Sequence, residues 1–362
     1  MTLDKLRKTI DDIDTKLVDL LNQRIKTAIE IGKLKESNGA EPYVPQREKE
    51  VLARVQKLNP GPLPAKSLSY IYREIMSASL ALEKELKVAY LGPAATFSHG
   101  AARERFGSSV EYVACESVAA VFEEVEKQLA DYGVVPIENS IQGPEAPTLD
   151  RLVDAKVKIC AETIYPISHC LLSRSSRDRI RKVYSHPQAL GQCNRWLRME
   201  MPGVEQVSTS STAKAAELAA IETDSSAIAS RLAAEIYVLD IVASNIEDIG
   251  GNETRFLVLG QSSGGATGND KTSVIFSVKH KAGSLHNALE SFRKFGLNMT
   301  KIESRPSRSK SWEYNFFVDF EGHTNEEPVA EALKDLSSHC TFLTVLGSYP
   351  RACRPSGKDV QA

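Results

Sequence analysis

The chain has 362 residues, 42% of them apolar and 25% charged, with a formal charge of −2. That length exceeds one ordinary core and predicts two or three domains. The near-neutral balance excludes a global field that would gather nucleic acid or an anionic membrane, so an anionic ligand must be held by local cations. Six cysteines and seven histidines show neither C-x-x-C pairs nor metal-ligand spacings, which predicts reduced, buried thiols and no metal. The opening "MTLDKLRKTIDDID" has no apolar signal core and no Arg-rich transit character, and no stretch approaches a membrane span. Cytoplasm is the expected location, with a trimmed plastid signal as the remote alternative.

Residues 1–86 read as helical. The first helix runs from about Thr2, an N-cap residue type, to the breaker "SNGAEP". Its apolar positions Leu3, Leu6, Ile10, Ile13, Leu17 and Leu20 step by three and four, which is a heptad seam. The next seam position is Arg24, after which Ile31 and Leu34 resume the pattern. A guanidinium on a dry seam is costly without a partner. Arg7 and Lys35 belong to the position beside the seam and lie about 42 Å apart along one straight helix. One small ligand cannot touch both from one copy, but an antiparallel partner helix would bring a second Arg7 to Arg24 and Lys35, as an intertwined dimer with two equivalent pockets. A second helix follows Pro45, with Arg47 and Glu48 at its positive end. A third follows "NPGPLP" and carries Ser79 and Glu83 one turn apart on one face. The alternative reading makes Arg24 a register-fixing polar residue and Arg7 and Lys35 solvated surface charges.

Residues 87–262 alternate short apolar strands with amphipathic helices, the pattern of parallel sheets in a two-lobed α/β domain with a cleft. Small polar residues gather at strand ends. "LGPAATFSHG" brings Thr96 to a helix start, and "STSSTAKAAE" brings Ser211 and Thr212 to another, where backbone N–H groups and hydroxyl caps can hold carboxylates. Hydroxyls cap helices in many settings, so neither stretch alone marks a site. Glu138 and Asn139 follow the apolar strand of "VVPIENS", Ser185 and Gln192 come from "YSHPQALGQC", and Asn252, Thr254 and Arg255 from "GGNETRFLVLG". Polar residues at strand ends are where open α/β sheets bind ligands.

Residues 263–271, "SGGATGNDK", have linker composition. Residues 272–350 read as strand, helix, strand, strand, helix, strand, a ferredoxin-like α+β order. They hold no nucleophile or base constellation. Gly283, Ser284 and Leu285 sit at a helix start and Glu303, Ser304 and Arg305 at a strand end. For such a unit, packing or dimerisation is the alternative to ligand sensing. Residues 351–362 read as a frayed tail.

With these motifs in place, "LRKTIDDIDTKLVDLLNQRIKTAIEIGKLK", "REKEVL" and "SLALE" resemble the all-helical chorismate mutases. The strand-end motifs and Asn-x-Thr-Arg-Phe resemble prephenate dehydratases, and the last segment resembles the ACT amino-acid-sensing domain. Together the chain resembles the bifunctional chorismate mutase–prephenate dehydratase family over nearly its whole length.

The resemblance implies an all-α three-helix mutase domain in an intertwined dimer, a dehydratase domain of the periplasmic-binding-protein type, and an ACT domain. It implies chorismate and prephenate as substrates, L-phenylalanine as feedback effector, a homodimer or larger homo-oligomer, and no cofactor, metal, nucleic acid or membrane. Arg7 of a partner, Arg24, Lys35, Arg47, Glu48, Ser79 and Glu83 match the mutase contacts, and Thr254 the reacting end of the dehydratase site, polarised by a neighbour such as Arg255 or Glu138. Gly283–Leu285 and Glu303–Arg305 match effector motifs. The chain departs from the family pattern at five positions: Val44 for an Asp of some members, Glu83 for Gln, Ala95 for Gly, Glu145 for an apolar residue and Ser284 for Ala. Two other readings are a two-lobed ligand-binding regulator, which would not need the helical cations, and a dehydratase on a degenerate helical scaffold.

Overall fold

The computed structural model describes residues 2–38, 43–307 and 313–352. Cys353 and the expected tail from 353 onward lie outside them, as do residues 39–42 of the breaker. The chain forms two compact units, one of Met1–Lys87 with Arg103–Glu111, the other of Val88–Ala102 with Tyr112–Ala362.

In the first unit, α1 spans Leu3–Ser37, α2 Pro45–Lys57 and α3 Ala65–Glu83. The α1 helix packs along α3. Close approach is possible because Gly32 has no side chain; a Cβ there would lie 2.9 Å from the Glu83 Cβ. Among the described residues the rest of the seam finds no cover: Leu3, Leu6, Ile10, Ile13, Leu17 and Leu20 are all exposed, Leu3 to 62%. An apolar row of that length facing water is unlike a finished core.

The second unit holds three sheets. Its elements, apart from Lys87, Glu111 and the Arg103–Phe106 end of α4, which belong to the first unit, run β1 Lys87–Leu91, α4 Phe97–Phe106, β2 Glu111–Cys115, α5 Val118–Glu126, β3 Tyr132–Asn139, β4 Gly143–Pro144, α6 Ala146–Leu152 and β5 Lys158–Pro166. There follow β6 Cys170–Ser173, β7 Lys182–Ser185, α7 Pro187–Gln192, α8 Asn194–Glu200, β8 Glu205–Ser208, α9 Thr212–Ile221, β9 Ser225–Ala229, α10 Arg231–Tyr237, β10 Asp240–Ser244 and β11 Glu253–Gly260. The first sheet has the order β2-β1-β3-β11-β5, with β4 beside β3, and the second β10-β6-β9-β7-β8.

Strand–helix alternation predicts parallel sheets; both are mixed. The β1–β3, β7–β8 and β7–β9 pairs are parallel. The chain, however, leaves the first sheet after β5, builds the second, and returns as β11, antiparallel to both β3 and β5. Two crossings between the sheets result, tied together where Ile167 N–H donates to the Asn252 carbonyl at 2.8 Å.

The last six elements are β12 Asp270–Val278, α11 Ser284–Lys294, β13 Met299–Pro306, β14 Tyr314–Glu321, α12 Glu327–His339 and β15 Cys340–Pro350. They give the expected βαββαβ order, in an antiparallel sheet β13-β14-β12-β15. Ile275, Phe317, Leu346 and Tyr349 of this sheet share one apolar core with Ile137, Ile159 and Leu257 of the first. At the crossing of β15 over β5 the backbones touch. A Cβ on Gly347 would fall 2.1 Å from the Ile159 carbonyl oxygen, so only glycine fits there.

Candidate functional site

The helical unit gathers four of the expected polar residues on facing helices. Arg24 Nη1 donates to Ser79 Oγ at 2.8 Å, and that hydroxyl in turn donates to the Ile75 carbonyl one turn back. Lys35 Nζ lies 3.9 Å from Glu83 Oε2. Burial pushes the Glu83 carboxyl above its usual range although Lys35 and Arg24 pull it down. Among the described residues, Glu83 Oε2 is buried without a hydrogen-bond partner. A half-buried guanidinium, an ammonium and an acid inclined to keep its proton form a set that can grip an anion and donate to it.

The other three mutase candidates make different contacts. Arg7 is exposed near the start of α1, with Asp4 4.0 Å away. Arg47, also exposed, reaches Glu50 at 3.0 Å. Glu48 is buried, where Oε2 accepts from Tyr43 OH at 2.7 Å and faces Arg105 Nη2 at 3.1 Å. Val44 occupies the N-cap of α2 and supplies no side-chain cap.

The second unit has a cavity of about 260 Å³ where the chain crosses between the first two sheets. Thr96, Asn139, Gln192, Ser211, Thr212, Asn252 and Thr254, all expected on sequence, line it. The strand register brings Thr254 of β11 opposite Asn139 of β3. Asn139 Nδ2 donates to Thr254 Oγ1 and to Asn252 Oδ1, both at 2.8 Å. Its Oδ1 accepts from the N–H groups of Ile141 and Gln142, which fixes which way the amide points. Thr254 Oγ1 accepts from Asn139, which leaves its own proton available to another acceptor, and its side chain lines the cavity.

Three expected residues are corrected by the geometry. Side chains alternate faces along a strand, and Glu138 and Arg255 directly neighbour Asn139 and Thr254, so they point away from the cavity. Glu138 pairs with Lys301 at 2.9 Å. Arg255 donates to Glu162, Asp319 and Tyr349 at 2.7, 2.5 and 3.0 Å. Neither is therefore the polarising neighbour of Thr254; Asn139 is its hydrogen-bond partner. Ser185 is fully buried, its hydroxyl donated to the Ile228 carbonyl inside the second sheet. His186 and Gln188 line the cavity instead.

His169 was not anticipated. It lines the cavity on the first crossing, gives its Nε2 proton to Gln192 Oε1 at 2.7 Å, and leaves Nδ1 buried without a partner among the described residues. Burial holds its pKa below the usual histidine value, which favours the neutral ring with Nδ1 as an acceptor. The only sequence signal is its place just ahead of the apolar strand "CLL".

Two of the departures are visible here. Glu145 lines the cavity, and burial pushes its carboxyl up; an acid shifted towards its neutral form repels an anionic ligand less. Ala95 takes a left-handed φ of 69°, a strained conformation for a residue with a Cβ. Its N–H donates to His99 Nδ1 and its carbonyl accepts from Ser230 Oγ, which hold the turn before α4.

Among the described residues the two effector stretches border different cavities. Gly283 has φ 82° and caps α11, and Ser284 and Leu285 line a cavity of about 160 Å³. Glu303, Ser304 and Arg305 lie on β13, the edge strand of its sheet. Arg305 pairs with Asp150 at 3.1 Å beside a different cavity of about 440 Å³.

Comparison with known proteins matches residues 6–84 to the model of chorismate mutase type II, 88–264 to that of prephenate dehydratase and 272–338 to that of the ACT domain. A bifunctional chorismate mutase/prephenate dehydratase of Aquifex aeolicus is 50% identical over 97% of this chain and 98% of its own. A protein of the same description from Neisseria gonorrhoeae is 45% identical over 97% of this chain and 99% of its own. Among solved structures, a prephenate dehydratase of Arthrobacter aurescens in complex with L-Phe aligns with TM-score 0.68 at 30% identity, covering 76% of this chain and 95% of that one.

Proposed function

Since this chain belongs to the bifunctional chorismate mutase/prephenate dehydratase family and carries both activities, we propose that the two reactions run at two separate sites. Rearrangement of chorismate takes place among Arg24, Lys35, Glu48, Ser79 and Glu83, and dehydration of prephenate in the cavity around Thr254. The observation that carries this reading is that each set of side chains is assembled within its own unit. Following chorismate, prephenate and phenylpyruvate in one assay tests it, with prephenate expected as a released intermediate. If the full chain consumed prephenate but not chorismate, the helical cations would be a packing cluster and that half of the reading would fail.

The mutase reaction breaks an ether C–O bond as a C–C bond forms and needs no proton transfer. What helps is a compact conformer and positive charge or a hydrogen bond at the ether oxygen. Arg24 and Lys35 suit the carboxylates and that oxygen. Arg7 is too far along α1 to join them in one copy, and the exposed apolar seam supports a second chain laid antiparallel on α1, delivering its Arg7 and covering the seam.

Glu83 serves in this scheme as a protonated donor. Because burial raises its pKa, the competent form dominates below that value and disappears as pH rises through it. Mutase kcat/KM is therefore expected to fall on the alkaline side of that pKa, and Glu83→Gln to remove the fall by supplying a donor at every pH. Superimposable pH profiles for the two proteins would overturn this role.

Dehydration expels the ring hydroxyl together with CO2. Thr254 directs its O–H at the leaving group, and His169 and the hydroxyls and N–H groups at the starts of α4 and α9 receive the carboxylates and hydroxyls of the substrate. L-phenylalanine acts as feedback effector at the ACT domain. The two effector stretches lie apart in one chain, which supports a site completed across the β13 edge by a second copy. The setting is the cytoplasm, in keeping with buried thiols such as Cys193, whose pKa burial pushes up.

A further inference from the structure

Arg105 lies beyond the residues matched by the mutase model, yet residues 103–111 belong by their contacts to the helical unit. The segment is clamped to α3. The Ser108 N–H and hydroxyl both donate to Glu74 Oε2, at 3.1 and 2.6 Å, and the Ser109 N–H donates to Ser77 Oγ at 3.1 Å. Gly107, at φ 77°, passes so close that a Cβ would meet the Ser77 Cβ at 2.4 Å. From this anchored turn Phe106 packs on the Tyr43 ring with centroids 4.9 Å apart. The Arg105 guanidinium lies over the same ring at 5.6 Å and 3.1 Å from Glu48 Oε2.

Both contacts on Glu48 converge on one oxygen. Oε2 takes the Tyr43 hydroxyl and the Arg105 guanidinium, while no described residue hydrogen-bonds Oε1. We propose that Arg105 is a positioning residue for the mutase reaction. It locks Glu48 through Oε2, together with Tyr43, so that Oε1 is presented as a fixed acceptor to a hydroxyl of the substrate. The mutase site is thus finished by a side chain from outside the three mutase helices. This rests on the reading that Glu48 touches chorismate.

The test uses the full chain, with Arg105→Gln, Arg105→Lys, Glu48→Gln and the double variant Arg105→Gln/Glu48→Gln assayed on chorismate, and prephenate turnover of the same preparations as the folding control. Arg105→Gln is expected to lower mutase kcat/KM by about 10 to 100-fold and to raise KM, which a reduced active fraction cannot do. Arg105→Lys is expected to recover part of the loss. In the Glu48→Gln background, Arg105→Gln is expected to add little, because the two groups act as one unit. A folded Arg105→Gln protein with normal mutase kinetics, or an equally large effect in the Glu48→Gln background, would overturn the proposal while leaving the role of Glu48 intact. Normal kinetics for Glu48→Gln alone would instead remove the reading of Glu48, and with it the need to position that group.

Discussion

Replacing Thr254 with valine is expected to lower prephenate turnover by about 10²- to 10⁴-fold, while chorismate turnover stays at the wild-type level. Valine keeps the shape and removes the hydroxyl proposed to donate to the leaving group. It also strips Asn139 of its shorter acceptor and leaves that N–H to the Glu253 carbonyl at 3.4 Å, at a cost of up to about 1–3 kcal/mol. The substitution therefore has two effects that must be separated. Thr254→Ser retains an oxygen on the same strand position opposite Asn139 and is expected to keep most of the activity. Denaturation midpoints of both variants give the stability part. Loss of both activities in a folded Thr254→Val protein would contradict two separate sites. An active Thr254→Val enzyme would take the reacting end of the cavity away from this residue.

The second large effect is expected at a residue with no part in the chemistry. Glu162, buried on β5, accepts from Arg255 at 2.7 Å, from Lys271 Nζ at 3.0 Å and from the Ala352 N–H at 3.0 Å. Asp319, across the cluster, accepts from Arg255 and from the Ser273 hydroxyl. Two cations and two carboxylates thus balance inside the core between the first and third sheets.

Burial alone would push the Glu162 carboxyl up, but Arg255 and Lys271 overcome it and bring the value down to about 2. The folded pKa lies below the unfolded one, so this group stabilises the fold above the ordinary carboxylate range and the contribution is lost as pH falls towards 2. A depression of that size corresponds to about 3 kcal/mol.

Glu162→Gln is expected to cost about 3–5 kcal/mol, because it leaves two buried cations facing one carboxylate. It should also flatten the acid limb of the stability curve. Prephenate turnover should fall too, since Arg255 adjoins Thr254 and a strand freed on one face does not hold its register on the other. An unchanged denaturation midpoint with an intact acid limb would show that the cluster contributes nothing net. Reduced stability with normal prephenate turnover would uncouple it from the site.

The sequence was most informative where a pattern has one period and one face. The heptad seam of α1 shows Arg24 as the odd residue, and its bond to Ser79 follows from one helix packing on another. The strand-end motifs likewise name most of the cavity. What could not be read is which side of a buried strand a residue takes. In "VVPIEN" and "ETRFLVLG" both faces are covered, so no alternation of apolar and polar residues distinguishes Glu138 from Asn139 or Arg255 from Thr254. The partners that decide it, Lys301, Glu162 and Asp319, lie far off in sequence. Strand direction was misread for a related reason: the return of the chain as β11 is a long-range event, and local strand–helix alternation carries no trace of it. Arg105 and His169 escaped because each is a single residue in an ordinary helix or crossing, given meaning only by what the fold brings beside it.

Where β15 passes over β5 at Gly347, main chain rests on main chain with no side chain interposed. Packed side chains can yield by changing rotamer and so absorb a small displacement; bare peptide groups cannot. A shift of β15 of even a few tenths of an ångström must be handed on to Ile159, or prevented by it. The junction between the β12–β15 sheet and the sheet that carries Thr254 is in this respect a stiff bearing, so a displacement of β15 would cross it as the movement of a whole strand.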